Sequence, residues 1–375
     1  MAAANLVYEH LEEHTVTAGD RPFIVGAIFS AQHGHIRSHL RTLNEVDEVT
    51  EIHLCAIEGG ELEEISAMSP KVKSGTRDLD AFLARDDIEF VVVTARNDIS
   101  AGVLQKCVDA GKHFIFEKPG AMNAPELQAV AESAKAKNIT TGVMFSNRWT
   151  PSNKEVKQAR IDGAFGRVMT VETRLATSQV RFRRPDSWMF KKATGGTGIL
   201  AWLGCHHIDM VCYLLDDKIV EVSAMLGTQS PEAIEVEDTA FLSVRFAGGA
   251  MGTIHSGYHL AGPMPEEMGG SNDSFVAVRG TRGYARVDAT RGTSYGLYSD
   301  APGWASGGYR EKVFSMPDSP AYGGAAGEDF MLEHMQASRT GGKAPTSIND
   351  AVHVLEVIDA AVESSATGRL VKIGG

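Results

Sequence analysis

Between residues 22 and 147 short, wholly apolar segments alternate with amphipathic ones, and this pattern constrains the fold more than any other feature. Residues 23–29 (FIVGAIF), 52–57 (IHLCAI), 90–93 (FVVV), 113–116 (HFIF) and 141–145 (TGVMF) have strand length and little polar relief. Residues 36–43, 78–85, 101–110 and 125–137 have helical spacing, with Leu79, Phe82 and Leu83 on one face and Val103, Leu104, Cys107 and Val108 on another. A strand apolar on both faces must be covered on both, which requires a parallel sheet between two helical layers. Right-handed crossovers then make a doubly wound, Rossmann-like α/β domain the expectation for residues 22–147, with ligands at the carboxyl ends of its strands.

After Pro151 the pattern changes. A helix over 153–162 leads to a half-exposed strand at 167–176 and a helix at 203–215. Strand-like runs follow at 219–226, 240–246, 250–257, 275–279 and 285–288 with no helices between them, which implies a largely antiparallel, open sheet. Helical segments at 328–338 and 351–367 close an α+β domain expected over residues 148–375, and residues 1–21 read as a polar extension. Two domains also suit a chain of 375 residues. A net charge of −12 disfavours nucleic acid and anionic membrane as partners. The uninterrupted apolar runs are too short to span a bilayer, no secretion signal is visible, and four scattered cysteines form neither a disulfide framework nor a zinc motif. A reduced, cytoplasmic location is expected.

The chemistry is expected at four strand ends. A dinucleotide fold places G-x-G-x-x-G after its first strand, where the backbone and a helix N-terminus meet the pyrophosphate. Here those positions are Phe29, Ala31 and Gly34, with Ser30 and His33 in the same loop, so only the third glycine remains. Either the loop binds a dinucleotide with an adjusted backbone, or the ordinary pyrophosphate site is lost. The second apolar run ends at Glu58, whose carboxylate can accept the adenosine ribose hydroxyls and repel a 2′-phosphate, favouring NAD over NADP. The next ends are Thr94-Ala95-Arg96-Asn97 and Glu117-Lys118-Pro119. A Glu-Lys pair directly after four apolar residues is either functional or a surface turn, since buried charge must be paired or used.

The segment AGKHFIFEKPGAMNAPE resembles the AGKHVxxEKP segment of the Gfo/Idh/MocA oxidoreductases, the family of glucose–fructose oxidoreductase and inositol dehydrogenase. Residues 94–97 sit where that family has its T-P-N turn, 145–148 resemble the start of its second domain, 161–166 its G-x-x-G connection, and 195–209 (GGTGILAWLGCHHID) its glycine-rich loop and G-x-H-x-x-D helix. The resemblance covers about residues 22–373. It implies an NAD(P)-binding domain followed by an α/β domain whose open sheet often forms oligomer contacts, hence a homodimer or homotetramer. It also implies a sugar or polyol substrate. By position, the family's catalytic lysine is Lys118 and its histidine His206, while the aspartate of its Asp-x-x-x-His pair is replaced by Trp202. An indole offers one N–H donor and an apolar face where a carboxylate would orient hydroxyls.

The candidate cofactor-binding residues are therefore Phe29, Ser30, Ala31, His33, Gly34, Glu58, Thr94, Asn97 and Glu117. The candidate substrate residues are Asn147, Arg148, Arg183, Trp188, Trp202 and His207, with Arg183 and Trp188 in a loop, VRFRRPDSWMF, that precedes the glycine-rich segment. A histidine titrating near neutrality at position 206 is expected to exchange the carbinol proton. His206 with Asp209 one turn on is a two-ligand metal alternative, but no third ligand is identifiable. The leading reading is an NAD-dependent oxidoreductase of a sugar, cyclitol or related polyol. Lyase, hydratase or isomerase chemistry with Lys118 and His206, glycoside cleavage with a tightly held NAD, and a non-catalytic binding subunit are the competing ones.

Overall fold

The computed structural model describes residues 21–262, 272–288, 293–304 and 308–374. The extension expected over residues 1–21 lies, but for Arg21, outside them. Six strands, β1 (Phe23–Ser30), β2 (Val49–Ile57), β3 (Val72–Thr76), β4 (Phe90–Thr94), β5 (His113–Phe116) and β6 (Thr141–Val143), pair in the order β3-β2-β1-β4-β5-β6. Every pairing is parallel. The order reverses between β1 and β4, which opens a ligand crevice at their carboxyl ends. Alternate side chains divide between two cores. Phe90 and Val92 of β4 face one layer with Leu40 and Leu43 of the helix His35–Glu45, and Val91 and Val93 face the other with Leu104 and Leu127. Only β3 was not foreseen, because its VKSGT lies half-buried or exposed at the sheet edge and carries no apolar period.

Among the described residues the second sheet has nine strands: β7 (Val168–Ser178), β8 (Ile219–Gly227), β9 (Thr239–Phe246), β10 (Met251–Leu260), β11 (Asn272–Gly280), β12 (Gly283–Asp288), β13 (Ser294–Ser299), β14 (Tyr309–Val313) and β15 (Val371–Lys372). Their order is β14-β13-β12-β11-β7-β10-β9-β8-β15, antiparallel throughout except for the parallel β7–β10 pair. In β9, Ala240, Leu242, Val244 and Phe246 point to the core while Phe241 and Arg245 point outward. The inner face is covered by the helices Cys205–Leu215 and Ile348–Thr367. On the outer face Met225, Phe241 and Met251 are exposed.

The chain does not divide cleanly at residue 148. The helix Ala325–Thr340 returns to the first sheet, where Phe330, Met331 and Met335 share a core with Phe29, Leu40 and Val92. The helical stretch Lys192–Leu215 has the length and apolarity of a membrane-crossing segment, unlike the runs considered above, yet 78% of its most apolar window is buried inside the protein. All four cysteines are free.

Candidate active site

Lys118 stands two residues past the end of β5, after Glu117, and is 1% exposed. Its Nζ donates to the Trp202 carbonyl at 2.7 Å and lies 3.8 Å from the centre of the Trp202 ring. The indole thus provides a π face for the ammonium at the position where the family resemblance leads one to expect a carboxylate. Trp202 sits on a π-helical turn, Leu200–Gly204, that leads into the helix Cys205–Leu215. The carboxylate of Glu237 anchors the turn by accepting from the backbone N–H of Gly198 at 2.8 Å and of Leu200 at 3.1 Å. Gly198 is required by this contact, since a Cβ there would lie 1.9 Å from the Glu237 carbonyl oxygen.

Glu117 is also buried, between two histidines of the first helix. His39 Nε2 lies 2.7 Å and His35 Nδ1 2.9 Å from the same oxygen, Oε1, while Oε2 has no partner among the described residues. Burial opposes ionisation of this carboxyl, but the two imidazoles outweigh it and hold Glu117 well below the ordinary range. His206 is buried against Phe145, with ring centres 5.8 Å apart, and its Nδ1 has no partner among the described residues. Burial first, and then the Lys118 charge, push its pKa well below the ordinary value. The expectation of a near-neutral titration at His206 is therefore corrected: a desolvated imidazole beside an ammonium stays neutral. His33, with both ring nitrogens unpartnered among the described residues, is pushed down to about 3 by burial and then by His35.

Above these groups the two domains meet through aromatic rings. Trp188 Nε1 donates to the Gln32 carbonyl at 3.3 Å, and the Trp188 ring centre lies 5.5 Å from His33 and 5.8 Å from Trp202. Tyr322 adds a ring 5.2 Å from His35 and 5.4 Å from His39. The structure thus gathers Lys118, Trp188, Trp202 and His33 into one buried cluster past the carboxyl ends of β1 and β5, with His206 close enough to feel the Lys118 charge and Glu117 held by its two histidines.

Other candidates take different places. His207 turns into the second sheet, with Nδ1 against Thr173 Oγ1 and Nε2 3.2 Å from Ser274 Oγ, and burial pushes it down to about 4. It does not face the crevice. Arg148 is a buried structural cation, donating to Asp209 from Nε at 2.8 Å and to Asp350 from Nη2 at 2.9 Å. That pairing also removes Asp209 from any metal set, and no cluster of three metal-ligating side chains occurs among the described residues. Asn147 is exposed. Arg183 is tied to the end of β7, through Ser178 O at 3.0 Å and Thr177 Oγ1 at 2.7 Å.

The cofactor candidates are likewise sorted by packing. Phe29 projects into the core at 1% exposure, where its ring occupies the space beside Gly60 that a Cβ on Gly60 would claim, so its side chain does not reach the crevice. Thr94 Oγ1 bonds to Ile28 O at 3.3 Å, and Asn97 Nδ2 to Gly195 O at 2.9 Å, so both serve the scaffold. Ser30 Oγ accepts the Arg96 N–H at 3.1 Å, and the half-buried Ala31 continues the loop. Gln32 takes the left-handed conformation, φ 64°, that a glycine usually supplies. Gly34 begins the first helix without a side-chain cap, and nothing lies within 4 Å of where its Cβ would be. An uncapped helix start with open space beside it fits a dinucleotide pyrophosphate. Glu58 is exposed and pairs with Arg96 at 2.9 Å. His39, Tyr322, Glu237 and Arg96 were not foreseen. The i, i+4 spacing of His35 and His39 was the one legible signal, since it puts both on a single helix face.

Comparison with known proteins agrees with this architecture. Residues 22–145 match the oxidoreductase family model with an NAD-binding Rossmann fold, and residues 153–286 the GFO/IDH/MocA C-terminal domain, together more than half of the chain. The sequence is 28% identical over 331 residues to levoglucosan dehydrogenase of Pseudarthrobacter phenanthrenivorans, covering 78% of this chain and 82% of that protein. It is 24% identical over 297 residues to scyllo-inositol 2-dehydrogenase (NADP(+)) of Bacillus subtilis, covering 76% and 79%. A solved levoglucosan dehydrogenase complex with NADH and levoglucosan superposes with a TM-score of 0.80 at 24% identity, over 94% of this chain and all of that one. An oxidoreductase domain protein from Kribbella flavida gives 0.82 at 22% identity, over 95% and 100%. With both domain models matched and the same two-sheet fold, the chain belongs to the Gfo/Idh/MocA family of oxidoreductases.

Proposed function

We propose that the protein is an NAD-dependent dehydrogenase of a sugar, cyclitol or related polyol carbinol, with Lys118 and His206 handling the proton. The observation that carries this reading is the Lys118 ammonium buried on the Trp202 ring just past β5, with His206 buried against Phe145 and close enough to feel its charge. NAD, when bound, supplies the hydride acceptor. The uncapped helix start at Gly34, the Ser30–Ala31 backbone and Glu58 are the groups that would hold it. Lys118 donates a hydrogen bond to the carbinol oxygen and stabilises the charge that develops there. His206, kept neutral by burial, accepts the proton. Trp188 and Trp202 offer apolar faces to a sugar ring and exclude water from the ammonium. The relatives named above act on an anhydrosugar and an inositol, which supports the substrate class. Self-association through the outer face of the second sheet belongs to the same reading, supported by the exposed Met225, Phe241 and Met251.

The test is a panel of sugars, anhydrosugars and cyclitols assayed by NADH absorbance, with wild type and Lys118→Ala in parallel. Turnover by wild type on at least one of them and its loss in a folded Lys118→Ala supports the assignment. Undiminished turnover in the variant sinks the role of Lys118.

A further inference from the structure

We infer that Arg96 binds the cofactor's phosphates, taking the place of the two glycines that the loop after β1 lacks. The inference rests on the NAD-binding assignment of the first domain. Arg96 stands at the end of β4, in the turn that leads to the helix Asn97–Asp109. Its backbone N–H is held by Ser30 Oγ at the end of β1, and its Nη2 reaches Glu58 Oε2 beyond the end of β2 at 2.9 Å. The sheet order is β2-β1-β4, so the side chain crosses directly over the end of β1. That is the path a dinucleotide takes between its adenosine, at the end of the second strand, and its pyrophosphate, at the start of the first helix.

Two features make the guanidinium suited to a phosphate. Asp98 grips Nε and Nη2, at 3.0 Å each, which fixes its plane, while Nη1 enters no hydrogen bond among the described residues. The neighbouring helix start at Gly34 is uncapped and open. A glycine-rich loop recognises a pyrophosphate by close backbone approach; with Ala31 and Gln32 in that loop, a planar cation from the adjacent strand supplies the missing interaction.

Isothermal titration of the full chain with NAD, ADP and adenosine tests this without relying on turnover. Wild type is expected to bind NAD and ADP, and Arg96→Ala to bind both roughly 10- to 100-fold more weakly, the loss of one charge-assisted bond. Adenosine binding should be unchanged, and Arg96→Lys should recover part of the ADP affinity. Arg96→Gln keeps the chain length and gives the same reading should alanine loosen the turn. NAD and ADP affinities within about twofold of wild type would overturn the inference. An equal loss for adenosine would overturn it too, by showing that Arg96 merely orients Glu58 toward the ribose. Failure of wild type to bind NAD or ADP would overturn the cofactor assignment itself, and this inference with it.

Discussion

An ammonium lying on an indole keeps its donors directed while the aromatic face offsets part of its desolvation, so Lys118 can be buried without a carboxylate of its own. Trp202 is therefore the lysine's seat and, in the proposed site, the face offered to the substrate ring. Trp202→Asp is expected to pair with Lys118 and remove the ring, raising KM, whereas Trp202→Phe should preserve most of the binding; steady-state kinetics on the best substrate decide between them. An unchanged KM with a raised kcat for the aspartate variant would show that the indole recognises nothing. His206→Ala should lower kcat by roughly 10²–10⁴. Because burial and Lys118 hold the His206 pKa well below 6.5, its neutral form persists on acidification. The kcat profile should therefore show no step from His206 between about pH 6 and 8. A step in that range present in wild type and absent from His206→Ala would refute the neutral-base assignment.

At the scale of an element, the π-helical turn Leu200–Gly204 decides where Trp202 points, and Glu237 decides where the turn begins. Such wide turns recur at functional sites because they displace one residue from the helical row. Gly198→Ala drives a Cβ against a backbone oxygen that cannot rotate away, and a loss of about 1–3 kcal/mol is expected, as for other overpacked sites. Gly34→Ala, with open space on all sides, should leave folding nearly unchanged while crowding the helix start. Chemical denaturation of the two variants provides the comparison. Similar midpoints would mean that the Glu237 contact does not govern this turn.

At the scale of the whole molecule, several imidazoles are buried neutral, at positions far apart in the fold. His33 is pushed down to about 3, and His207 and His334 to about 4, in each case chiefly by burial. In the unfolded chain these groups take up protons near pH 6.5, so between that value and their folded values the unfolded state binds more protons. Stability is then full above about pH 6.5 and falls on acidification, each buried histidine contributing a loss of up to roughly 3 kcal/mol by pH 4. Glu117, with its depressed folded pKa, acts in the same direction at lower pH. Denaturation midpoints that stay flat from pH 7 to 5 would contradict this account. The outer face of the second sheet yields a separate prediction. Met225→Glu with Met251→Glu should shift the protein to a smaller species in sedimentation, provided the sheet is the interface proposed above.

The alternation of apolar strands and amphipathic helices was legible because each element advertises its own burial: β1, β4 and β5 are apolar on both faces and admit only the middle of a covered parallel sheet. Positions after those strands located Lys118 and Glu117 as well. The polar edge strands β3 and β14 were not legible, since edges need little apolar surface and take their pairing from a neighbour, and neither was β13, whose SYGLYS is largely half-buried. Nor were the partners of the buried polar groups. Lys118 meets Trp202 84 residues away, and Glu117 meets His39 across 78. His206 and His207 are adjacent in sequence, yet one packs against Phe145 beside Lys118 and the other meets the sheet. Local sequence sets which segments must be buried, because burial depends on each segment's own polarity. Which donor meets which acceptor inside depends on how distant segments pack, and that only the tertiary structure decided.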